Sequence, residues 1–204
     1  MFNVVLVEPE IPANTGNIGR TCVLTGSRLH LVGPLGFELS DKALQRAGLA
    51  YWESLDVHVY ASWKAFVAAH EALQQALANN SPLHAGFHMP VHLLTKHASR
   101  IYAESCYEDG DWLVFGKESA GLDARLLADH PHLCERIPML GDDVLDNADE
   151  WHRSFESSHP HLARDVCGNF IDTRQGQITS LNLSNAAAIV LYEALRQTGF
   201  SLRS

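Results

Sequence analysis

No apolar run in this sequence is long enough to cross a bilayer, and Met1-Phe2-Asn3 carries no basic residue ahead of the short run Val4 to Val7. Neither a membrane span nor a secretory leader is expected, and a cytoplasmic address follows. Cysteine is scarce. Cys22, Cys106, Cys134 and Cys167 are widely spaced and form no CxxC pair, which argues against a disulfide framework and a zinc site and for reduced thiols. Basic side chains are few, 15 Lys and Arg against 24 Asp and Glu, so the net charge of −9 gives little long-range attraction toward a polyanion. A complete dinucleotide fingerprint is also missing. Gly16 and Gly19 supply only GxxG, which weakens a nicotinamide oxidoreductase reading.

The 204 residues, 46% hydrophobic and 19% charged, suit one globular domain with a full core. The acidity is uneven. Between Gly141 and Gln177 stand Asp142, Asp143, Asp146, Asp149, Glu150, Glu156, Asp165 and Asp172 against Arg153, Arg164 and Arg174. That segment accounts for −5 of the −9 and leaves −4 elsewhere, so a local basic patch remains feasible. It reads as an irregular insertion at about 141–177 within a single domain. Its His152, His159 and His161 match no defined ligand spacing, and no metal is expected.

Along the chain, Asn3 to Glu8 is a nearly continuous apolar run ended by Pro9 and Pro12, the pattern of a central parallel strand. A loop with Asn14 and Gly16 is expected next, then a short helix stopping near Gly26. Arg28 to Gly33 reads as a strand, and Ser40 caps a helix with Lys42 and Arg46. Val57 to Ala61 predicts a strand, Trp63 to Leu77 a helix, and Val91 to Thr95 and Asp111 to Gly116 two further strands. Asp123 to Ala128 predicts a short helix, Arg136-Ile-Pro-Met139 an edge strand, and Asn182 to Gln197 the last helix. Strands alternating with helices imply an α/β fold with a mostly parallel sheet flanked by helices.

Three segments carry candidate chemistry. Asn14-Thr-Gly-Asn-Ile-Gly-Arg20 offers small residues that let amides approach an anion, followed by an arginine. Phe115-Gly-Lys-Glu-Ser-Ala-Gly-Leu122 sits past the carboxyl end of a strand, where open α/β sheets bind ligands. There Gly116 and Gly121 permit tight turning, and Glu118 could accept hydrogen bonds from a ribose or from loop amides. Thr179-Ser-Leu-Asn-Leu-Ser-Asn185 presents short polar side chains and unpaired amides at the start of an apolar helix. Taken singly, these are also a solvated arginine, a strand-to-helix turn and a capped helix.

Taken in order, with Arg136-Ile-Pro-Met139 between the second and third, the segments resemble the three motifs of the SpoU (SPOUT) class of RNA 2′-O-methyltransferases. The opening Val-Glu-Pro-Glu-Ile-Pro-Ala-Asn-Thr-Gly-Asn and Asp41-Lys-Ala-Leu-Gln-Arg-Ala-Gly-Leu49 look like the small subgroup that methylates the wobble ribose of tRNA, which starts at its first strand without an RNA-binding extension. The resemblance implies a C-terminal deep trefoil knot, an exception to the rule against knots. It also implies a homodimer, S-adenosyl-L-methionine held in the knot, and transfer to C34 or modified U34 of tRNA, leucine tRNAs among them. Residue by residue it places Leu93, Gly116, Glu118, Gly121, Ile137, Ser180 and Leu181 around the cofactor. Arg20 becomes the catalytic arginine with Asn14, Asn185 and Tyr192 in support, and Arg28, Lys42 and Arg46 become RNA contacts. Arginine holds its proton too tightly to be a comfortable base, so Arg20 is expected to orient and stabilise. Two features depart from the subgroup: Lys117 and Ala120 in the second motif, and the 141–177 segment. Related enzymes acting on rRNA or another tRNA position, and a non-catalytic RNA-binding protein on this fold, are the alternatives.

Overall fold

The computed structural model describes residues 1–38, 50–78, 90–139, 162–164, 170–172, 177–178 and 180–200. Its framework is a six-stranded, all-parallel sheet in the order β3-β2-β1-β5-β4-β6. The strands are β1 (Asn3–Val7), β2 (Arg28–Val32), β3 (Val57–Tyr60), β4 (Val91–Leu94), β5 (Trp112–Phe115) and β6 (Cys134–Glu135). The apolar run of β1 is continuous because both faces of the sheet are covered. Val4 and Leu6 pack with Ile18, Cys22, Val190 and Leu191 on one face, while Val5 joins Phe66, Leu73, Val114 and Leu127 on the other. Fully burying each such aliphatic side chain contributes about 1.5–3 kcal/mol.

The first face is covered by α1 (Pro12–Thr25) and α5 (Leu183–Gln197), the second by α2 (Trp63–Ala68), α3 (Glu71–Ala78) and α4 (Ala124–Asp129). The expected loop through Asn14 and Gly16 is instead the first turns of α1. Pro12 occupies the first turn, where its fixed φ suits a helix and its missing N–H costs nothing, and burial of Asn14, Thr15 and Ile18 overrides the poor propensity of Gly16 and Gly19. Gly26, at φ 64°, closes α1 as expected.

The single helix expected over Trp63 to Leu77 is two. Ser62 caps the first by accepting from Ala65 N at 3.2 Å, and the Gln74 amide donates to the Val67 and Ala68 carbonyls at 3.2 and 3.1 Å, ending α2 before α3 begins. The last sheet strand lies at Cys134–Glu135, ahead of the expected Arg136 to Met139. A wholly buried glutamate inside a strand defeats a reading by hydrophobicity. In the 141–177 segment, expected to be irregular, and ending one residue beyond it, Leu162–Arg164, Phe170–Asp172 and Gln177–Ile178 form the antiparallel sheet β7-β8-β9. Strands of two or three residues are too short to leave a periodic signal. The helix expected after Ser40 and residues His152, His159 and His161 lie outside the described residues.

Candidate active site

The order β3-β2-β1-β5-β4-β6 reverses between β1 and β5. From β1 the chain enters α1 on one face, and from β5 it proceeds to α4 on the other. A crevice at the carboxyl ends of the two strands is the default ligand site of such a sheet. The residues leaving β1 and β5 are Glu8-Pro-Glu-Ile-Pro-Ala-Asn14 and Gly116-Lys-Glu-Ser-Ala-Gly121, and hydrogen bonds join them directly.

Glu118 is the centre of that junction. Its carboxylate accepts from Glu10 N at 2.8 Å, Ile11 N at 3.2 Å and Asn14 Nδ2 at 2.9 Å. Glu10 reciprocates, accepting from Ser119 N at 2.8 Å and Ser119 Oγ at 2.9 Å. Lys117 Nζ pairs with Glu8 Oε2 at 3.0 Å, holding a residue whose φ of 52° is uncommon outside glycine. The third segment is tied to the same point, because Asn182 Nδ2 donates to Asn14 Oδ1 at 2.9 Å. The opposite atom of that amide, Asn182 Oδ1, accepts from Ser184 N at 2.9 Å and caps α5. Asn14, only 2% exposed, therefore bridges Glu118 and Asn182 and joins all three segments.

The turn after β5 has the backbone its sequence suggested. A side chain on Gly116 would collide with the backbone of Gly121 and Leu122, and Gly121 closes the turn at φ 73° with its N–H donating to Lys117 O at 2.8 Å. Ser180 is half-buried, Leu181 is exposed, and Ile137 is half-buried just beyond β6. The Leu93 side chain is fully buried in the core. The Glu118 oxygens serve three donors, two of them the amides of Glu10 and Ile11, so of the two partners expected for it, a ribose or loop amides, the structure shows the second and Glu118 fastens the segments together. One expectation changes: the first segment is helical, so its glycines form no loop around a phosphate.

Arg20 lies six residues beyond Asn14 on α1, about 9 Å along the helix axis. It is exposed, and its guanidinium rests over the Tyr51 ring, 5.1 Å from the centroid. Asn185 and Tyr192 are exposed on α5, and the Tyr192 ring lies 6.5 Å from that of Phe200. Arg28 is not brought to the site. It starts β2, at the amino edge of the sheet opposite the junction, and its Nε donates to Asp56 Oδ2 at 2.9 Å. Lys42 and Arg46 lie outside the described residues.

Sequence reasoning missed Glu10, Asn182 and Tyr51. The acceptor chemistry of Glu10 was visible only as one of the two acids flanking Pro9. Asn182 was legible as a helix cap but not as a bridge, since a cap needs one side-chain atom and its amide has two.

Truncating the fastener is expected to loosen this junction. Glu118→Ala leaves three donors without their charged acceptor and should cost about 1.5–3 kcal/mol. Urea unfolding reads this as a lower midpoint at constant slope. An unmoved midpoint would mean that water replaces the carboxylate without loss.

A doubly covered parallel sheet, with three segments hydrogen-bonded together where its strand order reverses, defines an α/β protein of the class whose default ligand site is that switch point. The chain belongs to the SpoU rRNA Methylase family, which it matches over residues 1–143. It is 40% identical over 202 residues to the tRNA (cytidine(34)-2'-O)-methyltransferase of Burkholderia pseudomallei, covering 98% of this chain and 97% of that one. To the enzyme of the same name from Saccharophagus degradans it is 39% identical over 207 residues, covering 98% of each. Among solved structures, one described as "Structural insights into the 2-OH methylation of C/U34 on tRNA" matches with TM-score 0.66 and 32% identity, over 98% of this chain and 97% of the other. The SpoU methyltransferase AviRb from Streptomyces viridochromogenes with the cofactor AdoMet shares the fold at TM-score 0.60 and 23% identity, over 98% of this chain and 58% of that one.

Proposed function

We propose that this protein is an S-adenosyl-L-methionine-dependent tRNA methyltransferase acting on the ribose 2′-hydroxyl of the wobble nucleotide, C34 or modified U34, with leucine tRNAs as substrates. The observation that carries the reading is the pair of hydrogen bonds at Asn14, one donated to Glu118 and one accepted from Asn182, which join the three family segments. The names of the relatives at 40% and 39% identity supply the substrate.

The residues present fit the cofactor by their chemistry. Main-chain groups at Gly116, Gly121, Ser180 and Leu181, with the apolar Ile137 and Leu181 side chains, suit a flat purine and a zwitterionic amino acid. When bound, S-adenosyl-L-methionine supplies an electrophilic methyl on a sulfonium. The chain's task is to align the ribose hydroxyl with that methyl and to stabilise the negative charge its oxygen develops. Arg20 keeps its own proton throughout, so it orients the ribose and stabilises alkoxide character without acting as the base. Asn185 and Tyr192 are assigned supporting roles from α5.

The same reading takes the chain as one domain, 1–204, interrupted by the acidic segment at about 141–177, with the trefoil knot toward its C-terminal end. It takes the enzyme as a cytoplasmic homodimer. Ile189 and Tyr192, large side chains 37% and 50% exposed on α5, support an apolar contact with a second copy. Among the described residues no helix is long and apolar enough to cross a membrane. Lys42 and Arg46 are assigned to tRNA phosphates.

Methyl transfer from labelled S-adenosyl-L-methionine to bulk small RNA, followed by nuclease digestion and mass mapping, tests the reading. A 2′-O-methyl group at position 34 of leucine tRNA is the expected product. Label at another nucleotide would reassign the substrate, and cofactor binding without any transfer would point to a binding protein.

A further inference from the structure

The glycine-rich part of α1 packs against a one-turn 3-10 helix, Ala50–Ser54, that belongs to none of the three family segments. A Cβ on Gly19 would stand 3.0 Å from Leu55 Cδ2 and 3.2 Å from Trp52 Cζ3, tighter than ordinary van der Waals contact. Glycine at that position lets the turn seat closely on α1. Tyr51 is thereby fixed at its far end, where the phenol donates to the Gly16 carbonyl inside α1. Its half-buried ring then lies beneath the Arg20 guanidinium, with 5.1 Å between Cζ and the ring centroid. Burial pushes the Tyr51 phenol above its usual range and the neighbouring Arg20 charge opposes this, so the neutral ring is the partner of the guanidinium.

An exposed arginine is otherwise a flexible group. Stacking on a rigid aromatic face restricts the plane in which its fork of N–H donors can point. A donor held in place before RNA arrives need not be ordered in the transition state.

We propose that Tyr51 is a positioning residue, a fixed platform that sets the Arg20 guanidinium toward the RNA ribose and phosphate. This rests on the assignment of Arg20 to the reacting hydroxyl. Gly16 and Gly19 then serve the platform: one supplies the carbonyl that anchors the phenol, the other the room for the turn.

Single-turnover methyl transfer to tRNA at saturating S-adenosyl-L-methionine tests this, together with NMR of the Arg20 side-chain Nε–Hε group. In Tyr51→Leu the transfer rate should fall about tenfold, the size of a lost cation–π contact expressed as a rate. Cofactor affinity should be unchanged, and the Arg20 resonance should leave its ring-current-shifted position. Tyr51→Phe, which keeps the ring, should retain that shift and most of the rate. Tyr51→Met, of similar bulk but without a π face, carries the same expectation as leucine if the leucine variant unfolds. In an Arg20→Ala background, Tyr51→Leu should have no further effect. Wild-type transfer by Tyr51→Leu or Tyr51→Met, beside a crippled Arg20→Ala, overturns the platform while leaving the role of Arg20 intact. An equal loss from Tyr51→Leu with and without Arg20 overturns it too. Undiminished transfer by Arg20→Ala would instead remove the assignment on which the proposal stands.

Discussion

Arg20→Ala is expected to bind S-adenosyl-L-methionine as the parent does and to transfer methyl at least about a hundredfold more slowly, the size of effect seen when a donor aimed at developing negative charge is removed. The two halves of that expectation have separate causes. The groups assigned to the cofactor lie in the turn Gly116 to Gly121, at Ile137 and at Ser180-Leu181, whereas the Arg20 guanidinium lies over the Tyr51 ring. Arg20 itself is exposed, on the part of α1 that meets the 3-10 turn, so its loss removes no buried packing. Arg20→Lys keeps the charge and loses the planar fork, and it should fall between parent and alanine. Calorimetry with the cofactor and rapid-quench transfer to tRNA separate binding from chemistry. Equal transfer by parent and alanine variant would take Arg20 out of the reaction.

The parallel α/β framework was legible in the sequence because its strands are apolar runs with breakers at their ends, and β1, β2, β4 and β5 fall close to where those runs lie. The last helix was legible for a related reason. Asn182 is a cap residue followed by a helical apolar period, and α5 begins at Leu183. What stayed hidden were decisions made by distant partners. Glu135 belongs to a strand because His92, 43 residues earlier, receives its carboxylate. Asn14 is helical although two glycines follow, because the core and the Asn182 amide fix it from outside the segment. Glu118 read equally well as an acceptor for a ribose or for loop amides. Only the fold shows three N–H donors converging on it. The site was thus legible as three segments of the right composition, and not as a network, because hydrogen bonds across 104 and 168 residues leave no local trace.

These connections also explain why a chemistry-bearing turn near residue 180 can be placed accurately against a helix near residue 14. Asn14 is buried and uses its amide nitrogen on Glu118 and its amide oxygen on Asn182. Aspartate at this position has no donor for Glu118 and sets a second carboxylate beside it. Alanine leaves both partners open. A site built on α1, β5 and α5 through a single amide is stiff as long as the sheet beneath it is and the other end of α5 is held.

There, a second large effect is expected. His92→Leu should lower stability by about 3–5 kcal/mol, the cost of breaking a buried charged pair by removing one partner. His92 is wholly buried in β4, with Nδ1 2.7 Å from Glu135 Oε1 and Nε2 3.2 Å from Asp111 Oδ2. A neutral imidazole donates from one nitrogen only, so two facing carboxylates select the doubly protonated ring. Burial pushes the His92 pKa down, and the hydrogen bonds and charges of Asp111 and Glu135 outweigh it, leaving the pKa raised. The carboxylates are otherwise served by Ser105 and Tyr107 on Glu135 and by Glu108 N on Asp111. That segment is held in turn by Gln197 of α5, which donates to Ser105 O at 2.9 Å and accepts from Tyr107 N at 3.0 Å. Leucine would strand two buried carboxylates among β4, β5 and β6 and loosen the end of α5 opposite the site. The sign of the pH dependence follows from the raised value. The stabilisation is complete below the ordinary imidazole pKa of about 6.5 and is lost as pH rises through the higher folded value. Urea unfolding across that range should show the parent losing stability toward alkaline pH, with the gap to His92→Leu widest at or below about pH 6.5 and narrowing above it. Equal stability for the two proteins at pH 6, with parallel pH profiles, would falsify the charged triad and leave His92 as a neutral filler of the core.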